Sequence, residues 1–586
     1  MNFKNSFIGL LAGLALSMFS PLAEADWFDH WINGCYIEPG VDTKRGLCTN
    51  FLRLGPELGI VYVAQYTYTE DTGIPYWIQG AAVVEAGDYT VDIPLQSTSG
   101  GSFGAEIGTP IFDDPNWGTG TFTVNSCSSV TWSVASPNVT DVTLESESVL
   151  ELVAPVPNSQ CVYQEPFTEC PDFSTPGIDD RSCVIGGGEY TEDLHLTNNI
   201  LWILDGAVFV GLKGSADNTN AIHIEPGTRI IGVGQSILGI SRGAQIYAEG
   251  QPYAPVVFTG VNTASNSEAP GAAGDWGGLT INGRAPINTC ETFGACTAQG
   301  EGESGPYGGD DPNDSSGVLR YVRVQFAGIL FTDENELNGI AFQGVGRGTV
   351  VENIQVHANA DDGVEFFGGT VNARNLVLTD IEDDSVDWTQ GWNGLVQNGL
   401  VVQSGNLEIG ADRGIEADNL EGNNDAETRA KAWLANFTFI GRPDTTGATF
   451  RRGTGVKITN SIFTGFGNCI DLDDSATFAN AGTPGALSGN TTIENTILNC
   501  GTNFVEEVGD PWTVQAWFEA QPGNMVMNPM LSGAYPPADA AYLHGFPLNF
   551  DDFPAYFNNY GHIGAASGDP KEAWFTGWTL QDDFLP

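Results

Sequence analysis

The chain has 586 residues, of which 41% are hydrophobic, and a formal net charge of −52 from 21 basic and 73 acidic residues. Such a surface repels nucleic acid and anionic lipid, attracts divalent cations and stays soluble in salt. The apolar fraction suffices for large cores, which excludes a disordered chain, and the length allows two to four domains.

Residues 1–25, "MNFKNSFIGLLAGLALSMFSPLAEA", place one lysine before an apolar run and end on Ala23-Glu24-Ala25. This predicts an export signal and a mature chain starting near Asp26, secreted or held in the periplasm or at the surface of a Gram-negative bacterium. No cysteine follows at lipoprotein spacing, and no later segment is apolar enough to predict a membrane span. The ten cysteines (Cys35, Cys48, Cys127, Cys161, Cys170, Cys183, Cys290, Cys296, Cys469 and Cys500) form an even set without a CxxC motif. In an exported chain they predict disulfides, not zinc, redox or haem sites.

Residues 26–165 predict a β domain, sandwich-like in its strand–turn–strand pattern. "GIVYVAQYTYTEDTGIPYWIQGAAV" alternates aromatic and β-branched residues around a turn, and "GTGTFTVNSCSSVTWSV" continues the style. Residues 160–190 are rich in Cys, Pro, Gly and Asp, as in "CVYQEPFTECPDFSTPGIDDRSC", and predict a disulfide-tied linker over 166–190. Short apolar strands with glycine punctuation follow, in "AIHIEPGTRIIGVG" and "LGISRGAQIYAEG".

From about residue 318 a repeat is explicit. Asn353, Asn375, Asn398, Asn436, Asn460 and Asn495 each precede an apolar strand, at steps of 22, 23, 38, 24 and 35 residues. The short steps suit one turn of a three-strand parallel coil, and the long ones a coil carrying a loop. Stacked coils would set the amides in a column, each bonding the next. A helical repeat fails because no 3.6-residue period survives. The predicted fold is all-β, with a right-handed parallel β-helix over 191–510. An aromatic-rich C-terminal segment, 511–586, is expected to cover its open end.

These features resemble the parallel β-helix of pectate lyases and their relatives, which often carry such an asparagine ladder. "GDWGGLTINGRAPINTC", "NGIAFQGVG", "NADDGVEFFGG" and "RGIEADN" resemble more specifically a family of exported bacterial β-helix proteins without a settled activity. The "YTY…G.P.WI.G" pattern is similar to a small N-terminal domain common in exported proteobacterial proteins, and it implies no chemistry.

Aligning the strand after each turn gives "NGIAFQG", "DGVEFFG", "DSVDWTQ", "RGIEADN", "TGATFRR" and "NCIDLDD". Side chains alternate along a strand, so Ile340, Val364, Val386, Ile415, Ala448 and Ile470 should face inward. Phe342, Phe366, Trp388, Ala417, Phe450 and Leu472 should join them. Outward stand Ala341, Glu365, Asp387, Glu416, Thr449 and Asp471. A second outward column holds Gln343, Phe367, Thr389, Asp418, Arg451 and Asp473. Carboxylates one coil apart, ~4.8 Å, repel by ~1 kcal/mol in water and by several at lower dielectric. Glu365, Asp387 and Glu416 therefore need water, arginine or a metal. Calcium suits them as a hard cation with flexible oxygen coordination.

The metal set expected on this basis is Glu365, Asp387, Glu416 and Asp418, with Asp310, Asp311 and Asp314 from the loop "GEGESGPYGGDDPNDSSG". A solvated face with Arg413 and Arg451 as ion-pair partners accounts for the same pattern. The pairs Asp361/Asp362 and Asp383/Asp384 also read as turn residues. His357 reads as structural. Phe367 is outward and available to stack on a sugar, with Glu416 and Asp418 as further substrate contacts.

In pectate lyases, calcium and uronate bind over the corresponding strand, and an arginine is the base. By position, the resemblance implies catalytic roles for Glu365, Asp387, Arg413 and Arg451. It is not supported by motif: there is no polygalacturonase "GHG" and no lyase arginine–proline signature. HExxH and P-loop motifs are missing too. The reading is a calcium-binding protein that holds an extracellular polysaccharide or other surface ligand on this face. The alternatives are a polysaccharide lyase or hydrolase on the same face, and an adhesive or structural protein partnered with an outer-membrane receptor.

Overall fold

The structure is a computed structural model that describes residues 34–37, 46–53, 58–68, 75–85, 90–99, 111–126, 129–136, 147–155, 169–177, 181–252, 254–261, 271–290, 296–332, 335–403, 410–537, 540, 554–569 and 573–580. The expected export signal, Cys127 and Cys161 lie outside these residues. No described helix is long and apolar enough to cross a membrane.

The expected N-terminal β domain is present as one closed antiparallel sheet. Each of its eight strands, Gly34–Ile37 through Glu147–Pro155, pairs with the next, and the first pairs with the last. Where two facing sheets were expected, closure leaves no free edge. Val61 and Val63 point into the core while Tyr62 between them is 39% exposed, the period of two that marked this strand in the sequence. Trp132 is buried, and its Nε1–H donates to Gln65 Oε1 at 2.8 Å. Cys35 and Cys48 are direct cross-strand partners joined by a disulfide.

The rest of the chain builds a parallel β-helix. Parallel pairing begins with Ser182–Tyr190 and ends with Met525–Val526, wider than the expected 191–510 at both ends. The linker is partly a cap: Cys170–Cys183 ties residues 169–177 to the first coil, and Phe173 stacks on Trp202 at 5.7 Å. Each coil has three faces. One coil runs from Val364–Phe367 on the first face to 373–374 on the second and 376–379 on the third, before Val386–Thr389 opens the next.

The corner between second and third faces is a single asparagine. Asn353, Asn375, Asn398, Asn436, Asn460 and Asn495 all take positive φ, between 49° and 65°. Asparagine tolerates this left-handed conformation better than other non-glycine residues, so one residue turns the strand without breaking its pairing. Asn375 Nδ2–H donates to Asn353 Oδ1 at 2.8 Å, and Asn398 Nδ2–H to Asn375 Oδ1 at 2.9 Å. The expected column holds there and is then diverted, because Asn436 Nδ2–H donates to His562 O at 2.8 Å.

That diversion comes from the C-terminal segment, which lies along the flank of the helix. Asn558 and Gln397 exchange two hydrogen bonds, Ala565 N–H donates to Thr438 Oγ1 at 2.9 Å, and Leu580 N–H to Gln355 Oε1 at 2.9 Å. The expected cover of the open end is thus corrected for these residues. The third face presents Val377 and Leu400 outward, and Ala565, Ala566, Phe575 and Trp578 bury them. The last coil is closed instead by the helix Val514–Glu519, whose Trp517 and Phe518 enter the main core.

Inside, like stacks on like. Phe342 and Phe366 stack at 5.2 Å, and Phe366 stacks on Trp392 at 3.9 Å. Each such ring contributes about 1.5–3 kcal/mol by burial. Cys469–Cys500 staples two successive coils.

Candidate functional site

The first face carries the acidic residues in the register expected from the sequence. Ala341 pairs with Glu365, Glu365 with Asp387, Asp387 with Glu416, Glu416 with Thr449 and Thr449 with Asp471. The inward set, from Ile340 to Leu472, is fully buried. Gly363, in the turn before Val364, keeps the coils close: a Cβ there would stand 2.6 Å from Ser385 O.

A second row of carboxylates runs beside this column, in the turns. Asp361, Asp362 and Asp383 form one group whose oxygens lie within 4.8 Å of one another, and Asp362, Glu365 and Asp387 form a second. Asp384, Asp387 and Glu416 form a third, and Asp383, Asp384 and Asp412 a fourth. The sequence reading of the Asp pairs as turn formers missed this. They are turn residues that also stack, since Asp384 N–H donates to Asp362 Oδ1 at 3.0 Å. Their recurrence after 22 residues, the coil length, was the signal available.

Asp361, Asp362, Glu365 and Asp384 are shielded from water, whereas Asp383, Asp387 and Glu416 are half-buried and Asp412 is exposed. Asp362, Glu365 and Asp384 are 5%, 8% and 3% exposed. Burial pushes the carboxyls of Asp362, Glu365, Asp384 and Asp387 well above the usual range, and the neighbouring carboxylates add to it. Asp471 is pushed up to about 6, by burial first and then by Asp473 and Glu507. Asp384 Oδ1 and Asp387 Oδ1 are buried without a hydrogen-bond partner.

The column is asymmetric along its length. At one end, Glu365 Oε2 accepts only an amide, Asn338 Nδ2–H at 2.7 Å, which also donates to Glu301 Oε2 at 2.8 Å. At the other, Arg413 Nη1 reaches Asp384 at 3.4 Å, Asp412 at 2.6 Å and Glu416 at 3.0 Å. Arg451 pairs with Glu416 and, through Nε at 2.9 Å, with Asp418. The two sequence readings therefore hold at different ends: arginine pairing around Glu416 and Asp418, and an uncompensated cluster around Glu365 and Asp387. Burial would lower both guanidinium pKa values, but the surrounding carboxylates more than offset it and hold them above the ordinary value.

Three expectations are corrected. Asp418 is 4% exposed and held by Arg451 and, at 2.6 Å, by Arg452, so its charge is already matched and it joins none of the carboxylate groups. Asp310, Asp311 and Asp314 do not join them either. Asp314 binds Arg284 at 2.7 Å, Asp311 Oδ1 accepts Asn313 N–H, and Asp310 is exposed. These three aspartates lie beyond the far end of the strand, where Gly346 abuts Asp314, while Glu301 of the same loop shares the Asn338 amide with Glu365. Phe367 points outward but is 7% exposed, covered by Ile287, Cys296 and Tyr307, with Tyr307 edge-on at 6.2 Å. Cys296, in this cover, is disulfide-bonded to Cys290, and among the described residues the Phe367 ring is packed over and not open to stack on a sugar. His357 is structural as expected, bonded to Thr379 Oγ1 at 2.8 Å and packed on Phe326.

An all-oxygen, buried, anionic donor set with unpartnered oxygens fits a hard divalent cation such as calcium. Asp362, Glu365 and Asp387, or Asp384, Asp387 and Glu416, are the residues that would hold it.

No curated protein sequence matches the chain. Among solved structures it is similar to a GH87 alpha-1,3-glucanase catalytic domain in complex with tetrasaccharides, at 11% identity and a TM-score of 0.26, over 85% of this chain and 98% of that one. It is also similar to the catalytic unit of the GH87 alpha-1,3-glucanase from Streptomyces thermodiastaticus strain HF3-3, at 11% identity and 0.23, over 84% and 85%. A family model described as a pectate-lyase-like β-helix domain matches residues 188–525, the span of the parallel coils. The chain therefore belongs to the pectate-lyase-like β-helix domain family.

Proposed function

We propose that the protein is an exported calcium-binding β-helix that holds an acidic extracellular polysaccharide on its first face. The observation that carries this reading is the in-register run Glu365–Asp387–Glu416, at whose centre Asp387 Oδ1 is buried and unpartnered. A chain of net charge −52 repels a bare polyanion, and a cation bound between the two carboxylate sets reverses that repulsion locally. The ligand would approach the less buried half of the face, from Asp387 to Asp471, beside Arg413 and Arg451. The four disulfides among the described residues support export.

The test is binding of the mature protein to a panel of uronate-rich and neutral polysaccharides, with calcium and with chelator. Retention on uronate polymers only with calcium is expected. Equal retention in chelator, or none on any polymer, overturns the reading, and the second outcome favours an adhesive role partnered with an outer-membrane receptor. A hydrolase on the same face is the second reading. It is favoured by the in-register pair Glu365 and Asp387, whose carboxyls burial and neighbouring carboxylates push upward, the direction a general acid requires. Release of reducing ends from the same panel would identify it.

A further inference from the structure

The proposed calcium site leaves a charge deficit that one ion does not meet. Asp362, Glu365, Asp387, Asp384 and Glu416 make up two triads, each with its oxygens within 4.8 Å of one another. Arg413 touches Asp384 and Glu416, and Arg451 is shared between Glu416 and Asp418. Neither arginine makes an ion pair with Asp362, Glu365 or Asp387 among the described residues. Five carboxylates against Arg413 and an Arg451 shared with Asp418 leave a deficit of three to four. A single divalent cation would leave about half of it in a low-dielectric setting, where each unmatched pair costs several kcal/mol.

Asp387 belongs to both triads. It stands one coil from Glu365 on one side and one coil from Glu416 on the other. Its Oδ1 is buried and unpartnered. Asp384, 3% exposed, offers a second unpartnered oxygen, Oδ1, in the lower triad. Asn338, 2% exposed, donates Nδ2–H to Glu365 in the upper one, and its own Oδ1 is buried without a hydrogen-bond partner.

We infer that the face holds two divalent cations in adjacent coils, with Asp387 as the ligand shared between them. The upper ion takes Asp362, Glu365 and Asp387, and the lower takes Asp384, Asp387 and Glu416. This rests on the calcium reading above and deepens it by fixing a stoichiometry and a bridging residue. Two ions and Arg413 balance the five carboxylates, and a bridging carboxylate between two cations offsets their mutual repulsion. The pair would lie along the helix axis at about the coil spacing, ~4.8 Å. That spacing lets one carboxylate-bearing polymer touch both ions.

The experiment is a calcium titration of the full chain by calorimetry at physiological salt, with bound calcium counted by equilibrium dialysis. Two tightly bound ions are expected. Asp387→Asn should weaken both by at least about tenfold, whereas Asp362→Asn should weaken one and Glu416→Gln the other. The three variants keep side-chain shape, and thermal unfolding in chelator checks that each folds. One ion, lost equally in all three variants, overturns the bridged pair and leaves the calcium reading intact. Two ions with only one weakened in Asp387→Asn also overturns the bridge. No tight ion overturns both.

Discussion

Asp384 N–H donates to Asp362 Oδ1 at 3.0 Å, so the carboxylate of one turn fixes the backbone of the next. Asp362 thus does two things at once. It supplies a structural acceptor, and it adds a charge to a buried group already rich in charge. Asp362→Asn keeps the acceptor oxygen and removes the charge. In chelator this variant should be more stable than the parent by ~1 kcal/mol, because a buried like-charge repulsion is relieved. In calcium the order should reverse as a ligand is lost. Thermal midpoints in the two buffers check it; a variant less stable in both would assign Asp362 a purely structural role.

Stability should also depend on pH in a direction opposite to that of a salt-bridged carboxylate. Asp362, Glu365, Asp384, Asp387 and Asp471 have folded pKa values above the ordinary 3.8 and 4.5, with Asp471 at about 6. Between the ordinary and the raised values the folded chain binds protons that the unfolded chain has released. Stability then falls as pH rises through that window. In chelator the midpoint should be higher near about pH 5 than near about pH 7.5. Calcium should shrink or invert the difference, because protons compete for the same oxygens. A midpoint in chelator that rises steadily from acid to neutral would contradict the placement of these groups.

The register of the first face was legible because two periodicities coincide. Alternation along each strand separated Val364 from Glu365, and the coil length then aligned Glu365 with Asp387 and Glu416. What the sequence did not show is how loops return to the face. Asp310, Asp311 and Asp314 looked like calcium ligands by composition, yet Arg284 and a local turn take up Asp314 and Asp311, while Glu301 in the same loop reaches Asn338 and the column. Phe367 was correctly outward, but Ile287, Cys296 and Tyr307, which bury it, are distant in sequence. Strand periodicity reports which face a side chain takes; it carries no information about what a later loop lays over that face.

The asparagine corners give a separate test of the fold. Asn375 combines φ 60° with a hydrogen bond to Asn353 Oδ1 at 2.8 Å. Asn375→Gly loses the amide and keeps the conformation, and should cost ~1 kcal/mol. Asn375→Ala loses the amide and also strains the left-handed backbone, adding a further ~1–2 kcal/mol. Denaturant unfolding of the two variants measures the gap. Equal losses would show that the hydrogen bond alone, not the conformation, selects asparagine at the corner.

Arg451 allows the two ends of the acidic column to be told apart. It pairs with Glu416 and with Asp418, and it is itself only partly buried. Arg451→Met keeps the aliphatic stem and removes the charge, leaving Glu416 with Arg413 and Asp418 with Arg452. Removing one partner of a buried ion pair typically costs about 3–5 kcal/mol, and the remaining arginines should hold the loss to ~2 kcal/mol in chelator. Glu416, freed from one of its two arginines, becomes a stronger oxygen donor. The rise in thermal midpoint on adding calcium should therefore be larger in Arg451→Met than in the parent, whereas it should be smaller in Asp362→Asn. The opposite signs matter more than either magnitude, because general destabilisation would not separate the two variants. If the calcium response of Arg451→Met is no larger than that of the parent, Glu416 is not a ligand and the lower ion is not held there.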